Sequence, residues 1–249
     1  MKAPNVGKWS KHKHMVLDPL LQEHLPETQP FTPERLWHYT ENYRRVLLKP
    51  TGGGGGAGII KVTKQGNERF QIHAGSVRRI VTGKTRTVQA IRALFRPKMY
   101  LLQPYLSLGR IEGRPFDVRV MVQRKSRHDP WVITGWLAKL AGPGFIVTNI
   151  RRSRGKVLPL ETAIRRSNIA APPDLLDVLY NISMAVAQCL GEAYPTLREI
   201  GLDMGIDTEG KPWIIEANFR PSLSLFLQLP NRAYYRRIKA MRLRKAGAT

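Results

Sequence analysis

The sequence predicts an α+β fold built on antiparallel sheets. The segment 173–194 carries apolar residues at helical spacing and predicts the longest helix. The segment 200–218 alternates between apolar and polar residues on both sides of a Glu-Gly pair, which predicts a hairpin. Short segments rich in β-branched and apolar residues, bounded by turn residues, predict further strands. These segments are 58–65, 69–75, 117–124 and 131–140.

The first half of the chain also divides into elements. After an irregular or partly helical lead-in to residue 30, Thr32 and Pro33 are typical of the cap and first residue of a helix. The elements that follow are a strand at 46–50, a helix at 87–96 and a strand at 100–106 that breaks at Pro104.

The composition indicates a folded chain with a sizeable core. The chain has 249 residues, of which 42% are hydrophobic, enough for one large domain or two joined lobes. It contains no apolar run of about eighteen residues that could span a bilayer, and its N-terminal segment is too polar for a secretory signal. We therefore expect a protein that is cytoplasmic when synthesised. The single cysteine, Cys189, lies on the apolar stripe of the 173–194 helix, which predicts a core residue rather than a nucleophile.

The charge is strongly positive and predicts an anionic partner. The chain has 41 Lys and Arg against 18 Asp and Glu, a net charge of +23. No acidic residue lies between Glu68 and Glu112, and none lies in the tail 231–249. Nucleic acid, an acidic polymer and nucleotide phosphates are all open as partners. A basic surface that only keeps the protein soluble is open as well.

The segment LLKPTGGGGGAGIIKV, residues 47–62, contains six glycines within seven residues. Glycine is needed where the backbone approaches another group closely or adopts a positive φ, so a phosphate cradle and an unstructured loop both remain open. A Walker loop is excluded because no GK[ST] follows, and the β-branched IIKV does not form the helix that a dinucleotide-binding GxGxxG requires. The remaining arrangement is a hairpin whose glycine tip donates backbone N–H groups to phosphates, with Lys49 beside it.

A two-residue turn at Glu209 and Gly210 sets the register of the 200–218 hairpin. In this register the apolar residues of both strands lie on one face, which supports it. The cross-strand pairs are then Thr208 with Lys211, Asp203 with Glu216, and Gly201 with Asn218.

Two facing carboxylates, Asp203 and Glu216, destabilise a sheet unless a cation neutralises them. Together with the amide oxygen of Asn218 they are hard ligands suited to Mg²⁺, which usually binds through few protein oxygens and substrate phosphates. Acidic residues on a solvent face, with lysines nearby, are the alternative. A magnesium site and a glycine loop in one protein predict a bound nucleotide.

Five features in this order resemble the motifs of the ATP-grasp superfamily. They are KPTGGGGGAG, YLLQPYL, DVRVMV, Asp203, and EANFRP with Glu216 and Asn218. Within that superfamily, the segment KWSKHKHMVLDPLLQEHLPETQPF, residues 8–31, resembles the YheC/YheD endospore coat-associated family of spore-forming bacteria. The resemblance covers about residues 8–230.

The resemblance implies an ATP-grasp fold of two α+β lobes whose antiparallel sheets sandwich the nucleotide. The implied segments are a lead-in at 1–45 in place of a full preceding domain, a first lobe at 46–102, a second lobe with the metal site at 103–230, and a basic helix or tail at 231–249.

The resemblance also implies roles for individual residues. Arg119 would stabilise the transferring phosphoryl group, and Asn149 would lie near the phosphates and the reacting carboxylate. The metal ligands would be Asp203, Glu216 and Asn218, holding two Mg²⁺ ions with Glu216 between them. The nucleotide contacts would be Lys49, Gly53, Gly54, Gly55, Gly56 and Gly58 at the phosphates, and Leu101, Gln103, Pro104 and Tyr105 at adenine.

The implied activity is that of an ATP- and Mg²⁺-dependent carboxylate–amine ligase that works through an acyl phosphate and is associated with the endospore coat. The implied partners are ATP, a carboxylate and an amine, with an acidic peptide or polymer among the candidates, and spore coat proteins. A non-catalytic ATP-binding or scaffold protein of the spore coat, which docks to an anionic partner through its basic surface, stays open as the alternative. Nucleic-acid binding is the weaker third hypothesis; it rests on an amphipathic helix with Tyr234, Ile238 and Met241 on one side. That apolar stripe could instead dock on the helix's own domain.

Overall fold

The computed structural model describes residues 6–53, 55–145, 148 and 150–243. The chain divides into two compact units: residues 26–106, and the chain up to Leu25 together with the chain from Ser107 onward, here called the larger unit. Each unit is built on an antiparallel sheet with helices, so the predicted α+β fold is confirmed. None of the helices in the described ranges is long and apolar enough to cross a membrane.

The described residues form strands and helices in the following order. The strands are β1 (Gln29–Pro30), β2 (Arg45–Pro50), β3 (Ile60–Gly66), β4 (Arg69–Ala74), β5 (Val77–Thr82), β6 (Tyr100–Pro104), β7 (Arg110–Ile111), β8 (Arg114–Gln123), β9 (Val132–Leu140), β10 (Lys156–Leu158), β11 (Glu199–Ile206) and β12 (Pro212–Asn218). The helices are α1 (Lys8–Met15), α2 (Pro19–Glu23), α3 (Pro33–Tyr43), α4 (Lys84–Arg92), α5 (Ile150–Ser153), α6 (Leu160–Arg166), α7 (Leu175–Ala193) and α8 (Ala233–Leu243), with a 3₁₀ turn at Phe226–Gln228.

The 26–106 unit holds a sheet of strand order β1-β6-β2-β3-β4-β5. Val46 of β2 and Ile72 of β4 belong to one buried cluster with Leu36 of α3, so one face of the sheet carries the core. The predicted start of α3 is confirmed. Pro33 is its first residue, and the Thr32 hydroxyl accepts a hydrogen bond from the backbone N–H three residues later.

The larger unit holds a sheet of strand order β10-β9-β8-β11-β12, with β7 paired to β8. Its two faces are covered by different helices. Val120 of β8 and Leu202 of β11 pack in one buried cluster with Leu179 of α7. Met121, the next residue of β8, packs instead with Ile238 of α8. The period-2 alternation of β8 therefore directs neighbouring residues to opposite faces of the sheet.

The lead-in expected at 1–45 is divided between the two units. Helices α1 and α2 pack on the larger unit, where Met15 and Leu21 belong to the same buried cluster as α7. The chain from residue 26 belongs to the other unit, because Gln29 of β1 pairs with Leu102 of β6. Apolar residues far apart in sequence hold both parts of the lead-in in place.

The strand β5 was not predicted. Its sequence, VRRIVT, places two arginines in the middle of the segment and lacks the alternation that indicates a half-buried strand. It forms because every residue of β5 pairs with a residue of β4, from Val77 opposite Ala74 to Thr82 opposite Arg69. The helix that follows also begins earlier than predicted, at Lys84.

The turn of the β11–β12 hairpin differs from the prediction. The backbone N–H of Asp207 donates to the carbonyl oxygen of Lys211 at 3.0 Å. The predicted pair of Thr208 with Lys211 is therefore wrong, and the turn has three residues instead of two. The Asp207 carboxylate determines this shape, since it accepts hydrogen bonds from the backbone N–H groups of Glu209 (3.0 Å) and Lys211 (2.9 Å). Gly210 closes the turn at a φ of +90°.

A β-bulge restores the predicted pairing beyond the turn. The register shifts by one residue directly after Asp203 on β11. Asp203 therefore faces Glu216, and the prediction for this pair is confirmed. Gly201 faces Asn218, also as predicted. Without the bulge, the three-residue turn would have placed Ile215 opposite Asp203.

The helix α8 docks on its own unit through its apolar stripe. Ile238 is fully buried and packs with Met121 and Leu137 of the sheet. At the end of the helix, the Arg242 guanidinium binds both oxygens of the Glu199 carboxylate, at 2.7 and 2.9 Å. Docking on the domain, the alternative to a nucleic-acid-binding stripe, is therefore what the structure shows.

Replacement of Ile238 by alanine is expected to lower the free energy of unfolding by about 2–4 kcal/mol, because it removes buried methyl groups and leaves a cavity. Lys239→Ala, at the next and exposed position, is the control and should change it by less than about 0.5 kcal/mol. Urea unfolding followed by tryptophan fluorescence measures both. Equal effects of the two substitutions would show that α8 is not docked in this way.

Candidate functional site

The glycine segment joins β2 to β3 as the tip of a hairpin, as predicted. Leu48 faces Ile60 in the antiparallel pair. Backbone with a positive φ is strained for residues that have a Cβ, so the shape of this turn requires glycine. Gly54 lies outside the described residues. The glycines with φ between +69° and +88° are Gly53, Gly55, Gly56 and Gly58.

Three predicted nucleotide contacts share one face of the 26–106 sheet. Lys49 of β2 faces Leu101 of β6, and Gln103 lies two residues further along β6. Their neighbours along the strands, Leu48 and Leu102, are buried in the core on the opposite face. Because side chains alternate along a strand, Lys49, Leu101 and Gln103 project to the same side.

The Gln103 side chain presents a buried hydrogen-bond acceptor on this face. Its Nε2 donates to the hydroxyl oxygen of Thr28 at 2.6 Å. Its Oε1 is buried and accepts no hydrogen bond from the described part of the chain. A buried amide oxygen without a donor costs free energy. The exocyclic amino group of adenine is a donor that would satisfy it.

Two cations lie beside the segment that follows β6. Tyr105 comes directly after Pro104, where the strand ends as predicted. The Lys61 Nζ lies 4.2 Å from the centroid of the Tyr105 ring, and the Arg45 guanidinium carbon lies 5.3 Å from it. Sequence reasoning did not single out Lys61 as a cation of this region.

In the larger unit, a row of charged side chains crosses the strands β9, β8, β11 and β12. Lys139 faces Asp117 between β9 and β8. Arg119 faces Asp203 between β8 and β11, and Asp203 in turn faces Glu216 on β12. Residues that face each other across paired strands project their side chains to the same side of the sheet. The sheet therefore brings together two cations and three carboxylates.

Asp203 lies at the centre of this row. The Arg119 guanidinium donates from Nε to Oδ1 at 2.7 Å and from Nη2 to Oδ2 at 2.9 Å. Lys139 Nζ also donates to Oδ1 (2.8 Å), and Asn218 Nδ2 donates to Oδ2 (3.3 Å). A carboxylate offers about four lone-pair positions, so these four donors use them all. Gly201 leaves room for the guanidinium, because a Cβ there would lie 3.2 Å from Arg119 Nη1.

The two buried aspartates of the row have opposite shifts in pKa. Burial raises the pKa of Asp203, but the charges of Arg119 and Lys139 outweigh it and hold that pKa at about 2. Asp117 lies 3.0 Å from Lys139 Nζ and accepts a hydrogen bond from the Thr148 hydroxyl. Burial raises the pKa of Asp117 to about 6, although the positive charge of Lys139 acts to lower it. Asp203 is thus held ionised, while Asp117 is the carboxyl that takes up a proton readily.

Glu216 is less buried and is paired by the N-terminal helix. Lys8 Nζ of α1 lies 3.1 Å from Glu216 Oε1. Lys11, one turn later, is 6% exposed; it donates to the carbonyl oxygen of Ala217 and lies 4.9 Å from the centre of the Phe219 ring. Burial lowers the pKa of Lys11 to about 8, although the negative charge of Glu216 acts to raise it. Helix α1 therefore brings two amino groups to β12, the strand that carries two of the three predicted metal ligands, Glu216 and Asn218.

Protein cations thus neutralise both facing carboxylates, a role that the sequence argument assigned to a divalent cation. Over the described ranges, no group of three or more His, Cys, Asp or Glu side chains could hold a metal ion. The predicted set has two carboxylates, Asp203 and Glu216, and the Asn218 amide, which are the oxygen donors that Mg²⁺ prefers. A metal ion at Asp203 would have to displace one of its four donors.

Sequence reasoning missed two cations of this site. Lys139 had a signal, since it is the only charged residue in the apolar strand segment WVITGWLAKL. Lys8 had none, because the basic segment KWSKHKHM indicates only an exposed helix. Asn149, predicted to lie near the phosphates, is outside the described residues.

Comparisons with known proteins agree with the motifs. A sequence model described as YheC/D-like ATP-grasp matches residues 2–247. Endospore coat-associated protein YheD of Bacillus subtilis (strain 168) is 27% identical over 230 residues, which cover 88% of this chain and 49% of that protein. Endospore coat-associated protein YheC of the same organism is 25% identical over 226 residues, which cover 89% of this chain and 61% of that protein. The chain therefore spans about half to three-fifths of the length of these relatives.

A solved structure shows the same fold. The ATP-grasp ligase PsnB, complexed with precursor peptide PsnA2 and AMPPNP, superimposes with a TM-score of 0.55 at 14% identity. The match covers 97% of this chain and 59% of that chain. At this identity the likeness concerns the fold alone, and it confirms the predicted ATP-grasp fold.

Proposed function

Because the chain belongs to the YheC/D-like ATP-grasp family, we propose that it binds ATP with Mg²⁺ and uses the ATP to join a carboxylate to an amine. The observation that carries the proposal is the charged row of the larger unit. There Asp203, Glu216 and Asn218 lie next to the fixed cations Arg119 and Lys139. Oxygen ligands for a metal, side by side with immobilised cations, are the groups that phosphoryl transfer requires.

In the 26–106 unit, the proposal assigns the nucleotide contacts. The glycine turn and Lys49 would bind the phosphates through backbone N–H groups and an ammonium group. The unsatisfied Oε1 of Gln103 would accept a hydrogen bond from the amino group of adenine. Leu101, 3% exposed, would pack against the base. Pro104, the last residue of β6, and Tyr105 after it would present backbone groups to adenine.

In the larger unit, the proposal assigns the metal ligands. Asp203, Glu216 and Asn218 would hold Mg²⁺, two ions in the form that the family resemblance implies. Mg²⁺ would neutralise the negative charge of the phosphates as it redistributes during transfer. When the metal binds, the Lys8 ammonium group must leave the Glu216 carboxylate or share it, because Lys8 and Mg²⁺ compete for the same carboxylate oxygens.

The proposed reaction has two steps. A substrate carboxylate oxygen attacks the γ-phosphorus of ATP, ADP leaves, and an acyl phosphate forms. An amine then attacks the carbonyl carbon, inorganic phosphate leaves, and the nitrogen gives up a proton. Arg119, whose guanidinium is held by two hydrogen bonds, would supply positive charge in a fixed position, and Asn149 would lie near the phosphates and the reacting carboxylate. No side-chain nucleophile takes part.

Titration calorimetry with AMPPNP, with and without Mg²⁺, tests the nucleotide site. We expect binding by the wild-type protein only with Mg²⁺. Glu216→Gln should weaken that binding at least about tenfold, because it removes a charged ligand and leaves a group of the same shape. Glu209→Gln is the matched control, since it makes the same change at an exposed position in the turn of the same hairpin, and should bind as wild type does.

Circular dichroism establishes that both variants are folded. Unchanged affinity in folded Glu216→Gln would remove this residue from the site, and a wild-type protein that does not bind would refute the nucleotide proposal. Release of ADP from ATP in the presence of candidate carboxylates and amines then tests ligation itself.

A non-catalytic spore coat scaffold is the second candidate. Two observations favour it: the relatives are named as endospore coat-associated proteins, and the chain carries a net charge of +23. In this case the protein would dock to an anionic coat component through its basic surface. Tight Mg²⁺-dependent binding of AMPPNP without ADP release for any carboxylate tested would favour the scaffold over the ligase.

A further inference from the structure

The strand β5 ends the sheet of the 26–106 unit. It pairs with β4, and no other described strand pairs with it. An unpaired strand edge presents a row of backbone N–H and C=O groups that can accept a further strand. The helix α4 does not occupy this edge, because its buried residue Ile91 packs with Phe70 and Ile72 on the core face of the sheet.

The hairpin geometry identifies which backbone groups point outward. In an antiparallel ladder, hydrogen-bonded and non-hydrogen-bonded pairs alternate. The N–H of Gly83 donates to the carbonyl oxygen of Glu68 at 2.8 Å, so this pair is hydrogen-bonded. Counting back along β5 in steps of two from Gly83 shows that Val81, Arg79 and Val77 are hydrogen-bonded to β4 as well, so the backbone groups of the residues between them face away from β4. These residues are Thr82, Ile80 and Arg78.

The side chains along this edge combine exposed apolar groups with positive charge. Val77 and Ile80 are 62% and 48% exposed, unusually large fractions for β-branched residues. Arg78 is exposed and faces His73 across the ladder. The surrounding segment from Arg69 to Lys98 contains no acidic residue. Its cations are Arg69, Arg78, Arg79, Lys84, Arg86, Arg92, Arg96 and Lys98.

We infer that the β5 edge binds an extended acidic segment of a partner protein, which adds to the sheet as a further strand. The backbone groups of Arg78, Ile80 and Thr82 would form the ladder. Acidic side chains of the partner would lie beside Arg78, and its alternate apolar side chains beside Val77 on the other face. A second copy of this chain is disfavoured, because it would bring together two segments that each carry eight Lys and Arg and no acidic residue. The inference does not depend on ATP.

Fluorescence anisotropy with a labelled peptide of alternating Glu and Val tests this inference, with no nucleotide present. Arg78→Glu should weaken binding at least about tenfold by reversing the charge. Ile80→Pro should do so as well, because it removes an outward N–H and leaves the bonds to β4 in place. Lys125→Glu, an exposed substitution in the larger unit with the same change of charge, should leave the affinity within about twofold.

A Glu-Val peptide that is N-methylated at every residue separates strand addition from simple charge attraction. It carries the same charge and side chains but has no backbone N–H groups for the ladder, so it should bind at least about tenfold more weakly. Equal binding of the two peptides would overturn the inference, and so would absence of binding to the wild-type protein. Duplex DNA is the competing ligand. If it displaces the Glu-Val peptide and binds the Arg78→Glu variant more weakly than the wild-type protein, the partner of this edge is nucleic acid rather than an acidic protein segment. If Ile80→Pro unfolds, Arg78→Glu and the N-methylated peptide still decide the result.

Discussion

Replacement of Asp203 by asparagine is expected to lower the free energy of unfolding by about 3–5 kcal/mol. Asp203 is 7% exposed, and its carboxylate forms ion pairs with the Arg119 guanidinium and the Lys139 ammonium group. Removal of one partner from a buried ion pair leaves the other charges without compensation, and this is the costly change. The substitution keeps the shape of the side chain, so the loss of charge is the only large difference.

Glu216→Gln is the matched control for this stability measurement. It makes the same kind of change at the facing position, but the Glu216 side chain is 19% exposed and has a half-buried partner, Lys8. We expect a loss of about 1 kcal/mol or less. Guanidinium unfolding followed by circular dichroism gives both values. Similar losses for the two variants would contradict the central place of Asp203 in the row.

This difference also decides which variant can test nucleotide binding. Loss of binding by Asp203→Asn would mix the loss of a ligand with a disturbed sheet. Glu216→Gln avoids this, because its stability cost is expected to be small. From the sequence alone, the two substitutions are expected to have the same effect. Their expected effects differ because the Asp203 carboxylate is more deeply buried than the Glu216 carboxylate.

The stability of the wild-type protein relative to Asp117→Asn is expected to fall by about 2 kcal/mol between pH 4 and pH 7. Burial raises the pKa of Asp117 to about 6, above the ordinary value of 3.8 that applies to the unfolded chain. Between these values the folded protein keeps a proton that the unfolded chain has lost. Stability therefore decreases as pH rises through this window, and the asparagine variant lacks this decrease.

Unfolding by urea at pH 4, 5, 6 and 7 measures this difference. The sign distinguishes Asp117 from Asp203, whose pKa of about 2 predicts a contribution that is present above pH 4 and lost as the pH falls towards 2. A difference between wild type and Asp117→Asn that stays constant from pH 4 to pH 7 would show that the Asp117 carboxyl has an ordinary pKa. Gln89→Ala, at an exposed position of α4, is a control that changes no titratable group.

The β11–β12 hairpin shows how far the sequence pattern alone can be followed. Strict alternation predicted the pairs of Asp203 with Glu216 and of Gly201 with Asn218, because the faces of two paired strands must match. The pattern did not contain the turn. The Asp207 carboxylate binds the backbone of the turn and lengthens it by one residue, and the bulge compensates. Both departures depend on hydrogen bonds rather than on hydrophobic periodicity.

Periodicity and turn residues predict the α+β class, the glycine hairpin, the long helix α7 and the facing carboxylates, because these signals act over a few neighbouring positions. Which cations neutralise these carboxylates depends on contacts that form only in the folded chain. Lys139 reaches Asp203 from 64 positions away in the sequence, and Lys8 reaches Glu216 from the N-terminal helix. Such pairs follow from the order of strands in the sheet and from the packing of α1, which local patterns do not record. For the same reason the edge position of β5, on which the acidic-strand inference rests, became visible only in the folded chain.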